Sequence, residues 1–189
     1  MKFQSSISYL KLQPSIKTWI RNMFIQTETT PNPSSLKFKP GKTVLENMTK
    51  EFLNAKEAKM SPLVSSLFKI DGIQSVLLGP DFISITKEQD VAWQLLKPDI
   101  YASIMDFYSS QKPILLDQLM EPLDTKVLPE DSETVATIKE LIETRIRPTI
   151  MEDGGDIEYC GFKEGIVFLK LKGSCRTCES SSVTLKNGI

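Results

Sequence analysis

Two cysteines three residues apart carry the clearest chemistry in the chain. They lie in the run Gly173-Ser174-Cys175-Arg176-Thr177-Cys178-Glu179-Ser180. In a turn between a strand and the start of a helix, that spacing lets both sulfurs point to one side and hold the same metal or cluster. Gly173 permits a tight backbone approach. Free amides at a helix N-terminus favour thiolate over thiol, as does Arg176, and Lys170 and Lys172 add positive charge nearby. A dithiol redox motif normally sits in a βαβ context; here helix, strand and strand precede it. A closed zinc site needs four ligands. The chain has three Cys and no His, so it cannot complete such a site alone. Two chains together would offer four thiolates, which suits a cubane iron–sulfur cluster. A pair of ordinary buried thiols also fits the spacing.

The absence of His removes His general bases, Ser-His and Cys-His nucleophile pairs and every His-ligated zinc site. Ser180-Ser181-Ser182 therefore reads as a polar helix start with no base to activate it. Cys160, beside Tyr159, has no partner at metal-ligand spacing and reads as a strand residue. Glu152, Asp153 and Asp156 flank two glycines; their spacing is not that of an EF-hand loop, and a solvated turn is the simpler reading. Trp19 reads as a leader residue and Trp93 as a packing residue.

The 189 residues hold 23 Lys+Arg against 24 Asp+Glu, a net charge of −1, so no global field points to nucleic acid. No apolar run approaches the roughly 18 residues of a membrane-spanning helix. The charge is unevenly placed. Lys2, Lys11, Lys17 and Arg21 all precede the first acid, Glu28. With Ser5, Ser6, Ser8 and Ser15 and apolar Phe3, Ile7 and Leu10 at helical spacing, residues 1–22 have the pattern of a mitochondrial transit peptide, which places the mature chain in the matrix.

Two modules must position the cysteines. In the first, Phe24 to Thr27 begins a strand, and Thr30 to Ser34 is a proline-fixed loop. Ser35 to Lys39 alternates as a half-buried strand should, and residues 42–60 read as irregular. Ser61 caps a short helix with Pro62 at its first position. Ser75–Leu78 and Phe82–Thr86 are strands joined by the Gly79-Pro80-Asp81 turn. A helical stripe follows at Leu95, Leu96, Ile100, Ile104, Phe107 and Tyr108. Residues 112–131 carry Pro113, Pro122 and Pro129 among acids and form a linker. In the second module, Asp131 or Ser132 caps a helix with Glu133 in its first turn. Val135, Ile138, Leu141, Ile142 and Ile146 make its apolar face, and Pro148 kinks or ends it. Gly154-Gly155 is the exit turn. Ile157–Phe162 and Ile166–Leu171 are two strands, with Val167, Leu169 and Leu171 on one face of the second.

Several stretches are recognisable together. They are Met23 to Thr27 through Ser34 to Phe38; Leu96 to Tyr101; Arg145 to Thr149 with Glu152 to Asp156; and Gly173 through Cys178 to Leu185-Lys186-Asn187-Gly188-Ile189. On them the chain resembles the mitochondrial NifU-like (Nfu) iron–sulfur scaffolds. The resemblance implies two small α+β domains joined by a linker. The first is an Nfu N-terminal domain over 23–111 and the second a NifU C-terminal-like domain over 132–189. The family's two ligands map onto Cys175 and Cys178. The implied activity is that of a non-enzymatic scaffold or carrier. It would hold a [4Fe–4S] cluster between the two subunits of a homodimer. It would receive the cluster from upstream assembly proteins and pass it to apo-proteins such as lipoyl synthase and respiratory-chain enzymes, with no nucleic acid or membrane involved. A dithiol oxidoreductase and a zinc-bridged structural dimer use the same cysteines and are the alternatives. In the family the helix after the CxxC continues, so the second domain is expected to be incomplete at Ile189.

Overall fold

Strand alternation in the first module builds a sheet, and the sheet carries everything else. The computed structural model describes residues 23–46, 48–116 and 124–178. The expected leader, part of the linker and the helix expected from Ser181 lie outside those residues. β1 (Gln26–Thr29), β2 (Ser35–Lys39), β3 (Lys50–Phe52), β4 (Ile73–Leu78) and β5 (Ile83–Lys87) pair antiparallel in the order β1-β2-β5-β4-β3. The register sets Phe38 opposite Ile83 and Leu36 opposite Ile85, with Val76 and Leu78 opposite the same two isoleucines on the other side. These side chains share one face. α1 (Pro62–Leu67) and α2 (Trp93–Ser109) cover it with Leu63, Val64, Leu67, Leu96, Ile100, Ile104 and Phe107. Ser61 caps α1 as its sequence predicts: its hydroxyl accepts from the Val64 N–H at 3.3 Å, with Pro62 in the first turn.

Two features of this module differ from the sequence reading. Residues 42–60 are not all irregular, because β3 lies there and pairs with β4. Three residues, two of them charged, give no readable alternation, although Phe52 is fully buried. β2 is also not half-buried. Ser35, Lys37, Ser84 and Thr86 point to the second face of the sheet, and all four are buried. That polar face is covered by the second module, which β7 and the cysteine turn bring against β4 and β5.

The second module begins with α3 (Glu133–Leu141), capped by the Ser132 hydroxyl on the Val135 N–H. Pro148 does not stop the helix. A π turn over Ile142–Ile146 carries it into α4 (Arg147–Glu152), with the Arg147 N–H bonded to the Ile142 carbonyl five residues back. Proline has no N–H and its ring crowds the carbonyl four residues earlier; the wider turn just before Pro148 relieves that crowding. β6 (Gly155–Lys163) and β7 (Ile166–Gly173) then form an antiparallel hairpin. Its tip is Glu164 and Gly165, both at positive φ, as a two-residue hairpin turn requires. Tyr159 faces Leu169 and Gly161 faces Phe168, so Cys160 is the extra residue of a β-bulge and is exposed. The module's core is small: Ile142, Ile150, Ile157 and Cys175, flanked by Ile138, Ile146, Tyr159, Leu169 and Leu171.

The linker is more engaged than its composition suggests. Ile114 and Leu115 pack against the first core, and the Leu116 N–H donates to the Met60 carbonyl. At its far end Asp124, Thr125 and Asp131 make side-chain hydrogen bonds to the second module. Among the described residues no helix is long and apolar enough to cross a membrane.

Candidate functional site

β7 ends at Gly173, whose φ of +64° turns the chain sharply into a single 3-10 turn, Ser174–Arg176. Cys175 sits in that turn and Cys178 just beyond it. The Ser174 hydroxyl donates to the Asp153 carbonyl, tying the turn to the end of α4. The two cysteines have different surroundings. Cys175 is 4% exposed and belongs to the small apolar core. Cys178 is only half-buried. Gly155 explains how close Cys175 can pack: a Cβ added there would lie 2.5 Å from the Cys175 sulfur and 2.9 Å from the Lys172 carbonyl oxygen. Gly173 is likewise closely approached, by Leu77 of the first module's sheet.

The first module supplies more of the site than the sequence reading assigned to it. Asn32, in the proline-fixed loop, is 4% exposed. Its side-chain amide donates to the Ser174 carbonyl at 2.9 Å and to the Thr177 hydroxyl at 2.8 Å. These are the residues immediately before Cys175 and Cys178. Its oxygen accepts from the Ser34 N–H, which fixes the side chain's orientation. Glu51 of β3 accepts from the Gly173 N–H at 2.8 Å and pairs with Arg176. Lys37 of β2 donates to the carbonyls of Met151 and Glu152 at the end of α4, where a cation complements the helix dipole. Burial, and then the neighbouring Lys39, push the Lys37 pKa down. A loop Asn and a short charged strand are common in any sequence, and only the tertiary fold brings them to the cysteines.

Several charges are placed differently from the sequence reading. Lys170 and Lys172 pair with Glu158 across the hairpin at 3.5 and 2.9 Å, and Arg176 pairs with Glu51. Their charge is spent on these neighbours. Asp156 is not part of a solvated turn. It is 1% exposed, bonds Arg147 at 2.9 Å and accepts from the Thr49 hydroxyl. Arg147 also reaches Asp124 at 2.7 Å and Glu143 at 3.0 Å. Burial alone would lower the Arg147 pKa; the carboxylates of Asp156, Asp124 and Glu143 outweigh it, and the net direction is up. Burial, with the charge of Glu152, raises the pKa of Asp153. Among the described residues no three Cys, Asp or Glu side chains gather in a way that would hold a metal ion.

A cleft of about 560 Å³ opens beside Cys178, walled by Thr177, by Asn32 and its flanking prolines, and by Lys87 at the end of β5. The Lys87 ammonium is held by the carbonyls of Glu88 and Gln89 and lies 5.9 Å from the centre of the Trp93 ring.

Residues 25–111 match the family described as scaffold protein Nfu/NifU N terminal, and residues 138–189 match the family described as NifU-like domain. The chain belongs to the Nfu/NifU family. It is 56% identical over 177 residues to NifU-like protein 5, mitochondrial, of Arabidopsis thaliana, a match covering 90% of this chain and 64% of that protein. It is 57% identical over 171 residues to the NFU1 iron-sulfur cluster scaffold homolog, mitochondrial, of Homo sapiens, covering 90% of this chain and 66% of that one. This Nfu-family chain thus spans a little under two thirds of those relatives' length. The solution structure of a NifU-like protein from Saccharomyces cerevisiae overlays with a TM-score of 0.47 at 24% identity, over 61% of this chain and 97% of that one. The two-domain α+β architecture expected from the sequence is that of the family, and the mitochondrial location agrees with the relatives' names.

Proposed function

We propose that this chain is an iron–sulfur cluster scaffold or carrier of the mitochondrial matrix. Its second domain, 132–189, bears the cluster, and the Nfu N-terminal domain, 23–111, is joined to it through the linker 112–131. Its cargo is a [4Fe–4S] cluster bridged between two copies through Cys175 and Cys178 of each. Upstream assembly proteins supply the cluster, and apo-proteins such as lipoyl synthase and respiratory-chain enzymes receive it. The observation that carries this reading is the sharp turn at the end of β7 that holds Cys175 with Cys178 just beyond it, in a chain with no His and with the family's two domains. Two thiols per chain and one thiolate per iron make two chains the smallest complete ligand set for a cubane. A helix–strand–strand approach to the CxxC argues against a thioredoxin-like oxidoreductase, and the role is one of holding and passing on rather than catalysis.

Anaerobic reconstitution with iron and sulfide tests it. The chain should turn brown, with broad absorption near about 400 nm, and should gain mass corresponding to a dimer. Cys175→Ser and Cys178→Ser should each abolish both, and Cys160→Ser should leave both intact. A cluster that survives Cys178→Ser, or that stays on a monomer, overturns the ligand assignment.

A further inference from the structure

We propose that the two cysteines have unequal parts in cluster release: Cys178 is the ligand an incoming thiolate replaces first, and Cys175 is the anchor released last. This rests on the scaffold reading above. Both residues carry the same functional group three positions apart, so chemistry alone makes them equivalent; the fold does not. Cys175 is 4% exposed, lies among Ile142, Ile150 and Ile157, and has its sulfur against the backbone of Gly155. Cys175 is therefore less open to solvent than Cys178. Cys178 is half-buried and faces the cleft of about 560 Å³ beside Asn32 and Lys87. The cleft lies between the modules, so the acceptor's thiol arrives along a path that the first module walls. Lys87 brings a cation to that wall, which favours an approaching thiolate over a thiol.

Asn32 holds this inequality in place. Its amide bonds the Ser174 carbonyl and the Thr177 hydroxyl, in the residues just before each cysteine, and so ties the turn to the first module. The exchange step is a ligand substitution at one iron. A bond forms between that iron and the acceptor's cysteine sulfur. The bond to the Cys178 sulfur breaks, and Cys178 leaves as a thiolate that takes a proton from water. No electron moves between cluster and protein. The second substitution, at the iron held by Cys175, follows once the first has loosened the turn. The ligand class of the cleft is accordingly a cysteine-bearing peptide segment.

Site-resolved alkylation tests the order in two arms, both on the full chain under anaerobic native conditions. In the apo protein, iodoacetamide should modify Cys178 at least about tenfold faster than Cys175, since reactivity follows exposure and thiolate character. In the reconstituted protein, brief treatment with excess 2-mercaptoethanol and quenching with iodoacetamide should label Cys178 while iron is still bound. Cys175 should become labelled only in step with iron loss. Equal rates in the apo arm, Cys175 labelled first, or both cysteines labelled together with iron loss would overturn the proposal. If the chain takes up no iron and sulfide, the scaffold reading fails. The apo arm still decides whether Cys178 is the thiol that the cleft exposes.

Discussion

The two modules differ in how they are held together. The first closes a core of large aliphatic and aromatic side chains between its sheet and two helices, with Phe38, Phe52, Leu63, Leu67, Ile83, Ile85, Ile100 and Ile104 almost wholly buried. Among the described residues, the second has an apolar core of only three isoleucines and a cysteine. It relies instead on a buried Arg147–Asp156 pair, on linker carboxylates, and on side chains reaching across from the first module. The half that bears the cysteines is thus the half that leans on the other. The proposed carrier role places cargo release on the less self-sufficient element, where local opening costs least.

The sharpest test of that dependence is a cavity in the first core. Phe38→Ala should cost about 3–5 kcal/mol, read by urea unfolding, and should speed hydrogen exchange in β6 and β7 as well as in β2 and β5. Ile157→Ala should speed exchange in the hairpin alone. If Phe38→Ala leaves β6 and β7 as protected as before, the second module stands by itself and the comparison is wrong.

Next comes Arg147→Ala, which strips a buried carboxylate of its partner. Breaking such a pair costs about 3–5 kcal/mol because the remaining charge stays buried. The loss should fall on the second module, and adding Asp156→Asn to the same chain should recover part of it. A double variant no more stable than the single would show that the Asp156 charge is not what makes Arg147 necessary.

Asn32→Ala should weaken the joint between modules by about 1–3 kcal/mol, the cost of leaving buried partners unsatisfied. It should also narrow the difference in alkylation rate between Cys178 and Cys175. An unchanged rate ratio with lowered stability would mean that Asn32 glues the modules together without holding the turn.

The smallest effect concerns acid. The hydrogen bond from Lys172 holds the Glu158 carboxyl below its usual range against the opposing effect of burial, with Lys170 adding to it. A depressed carboxylate stabilises the fold above its unfolded pKa of about 4.3, and that contribution is lost as pH falls through the lower folded value. Glu158→Gln should therefore lower the thermal midpoint slightly at neutral pH and not at strongly acid pH. Equal loss at both would assign the effect to packing rather than charge.

Much of this was legible in residue patterns. Ser61-Pro62 and Ser132 announce their helices, Gly79-Pro80-Asp81 announces its hairpin, and Cys175 and Cys178 stand out by spacing. What stayed hidden was every feature made by contact between the modules. Ser35 and Lys37 read as the exposed side of a half-buried strand because polar side chains usually are exposed; here a second domain lies on them and on Ser84 and Thr86. Asp156 reads as one acid among three in a glycine turn, and nothing local shows that Arg147 lies close enough to pair with it. Glu51 and Asn32 carry no periodic signal at all. The face of the long helix is legible in part. Ile138, Ile142 and Ile146 of the sequence stripe pack in the second core, whereas Leu141 is exposed and Lys139, Arg147 and Ile150 are buried beyond the stripe.

That five-residue step from Ile142 to Arg147 has a consequence of its own. Each α-helical residue advances the side-chain direction by about 100°, so plain α geometry over the same residues would turn everything downstream by roughly one such step. The wider turn absorbs the extra residue and keeps Arg147 on Asp156 and the carbonyls of Met151 and Glu152 on Lys37. Removing one residue from Glu143–Arg145 would let an ordinary α-helix make the same approach. A substitution that closed the π turn without removing a residue would instead swing Arg147 away from Asp156 and, far from the cysteines, loosen the turn that holds Cys175.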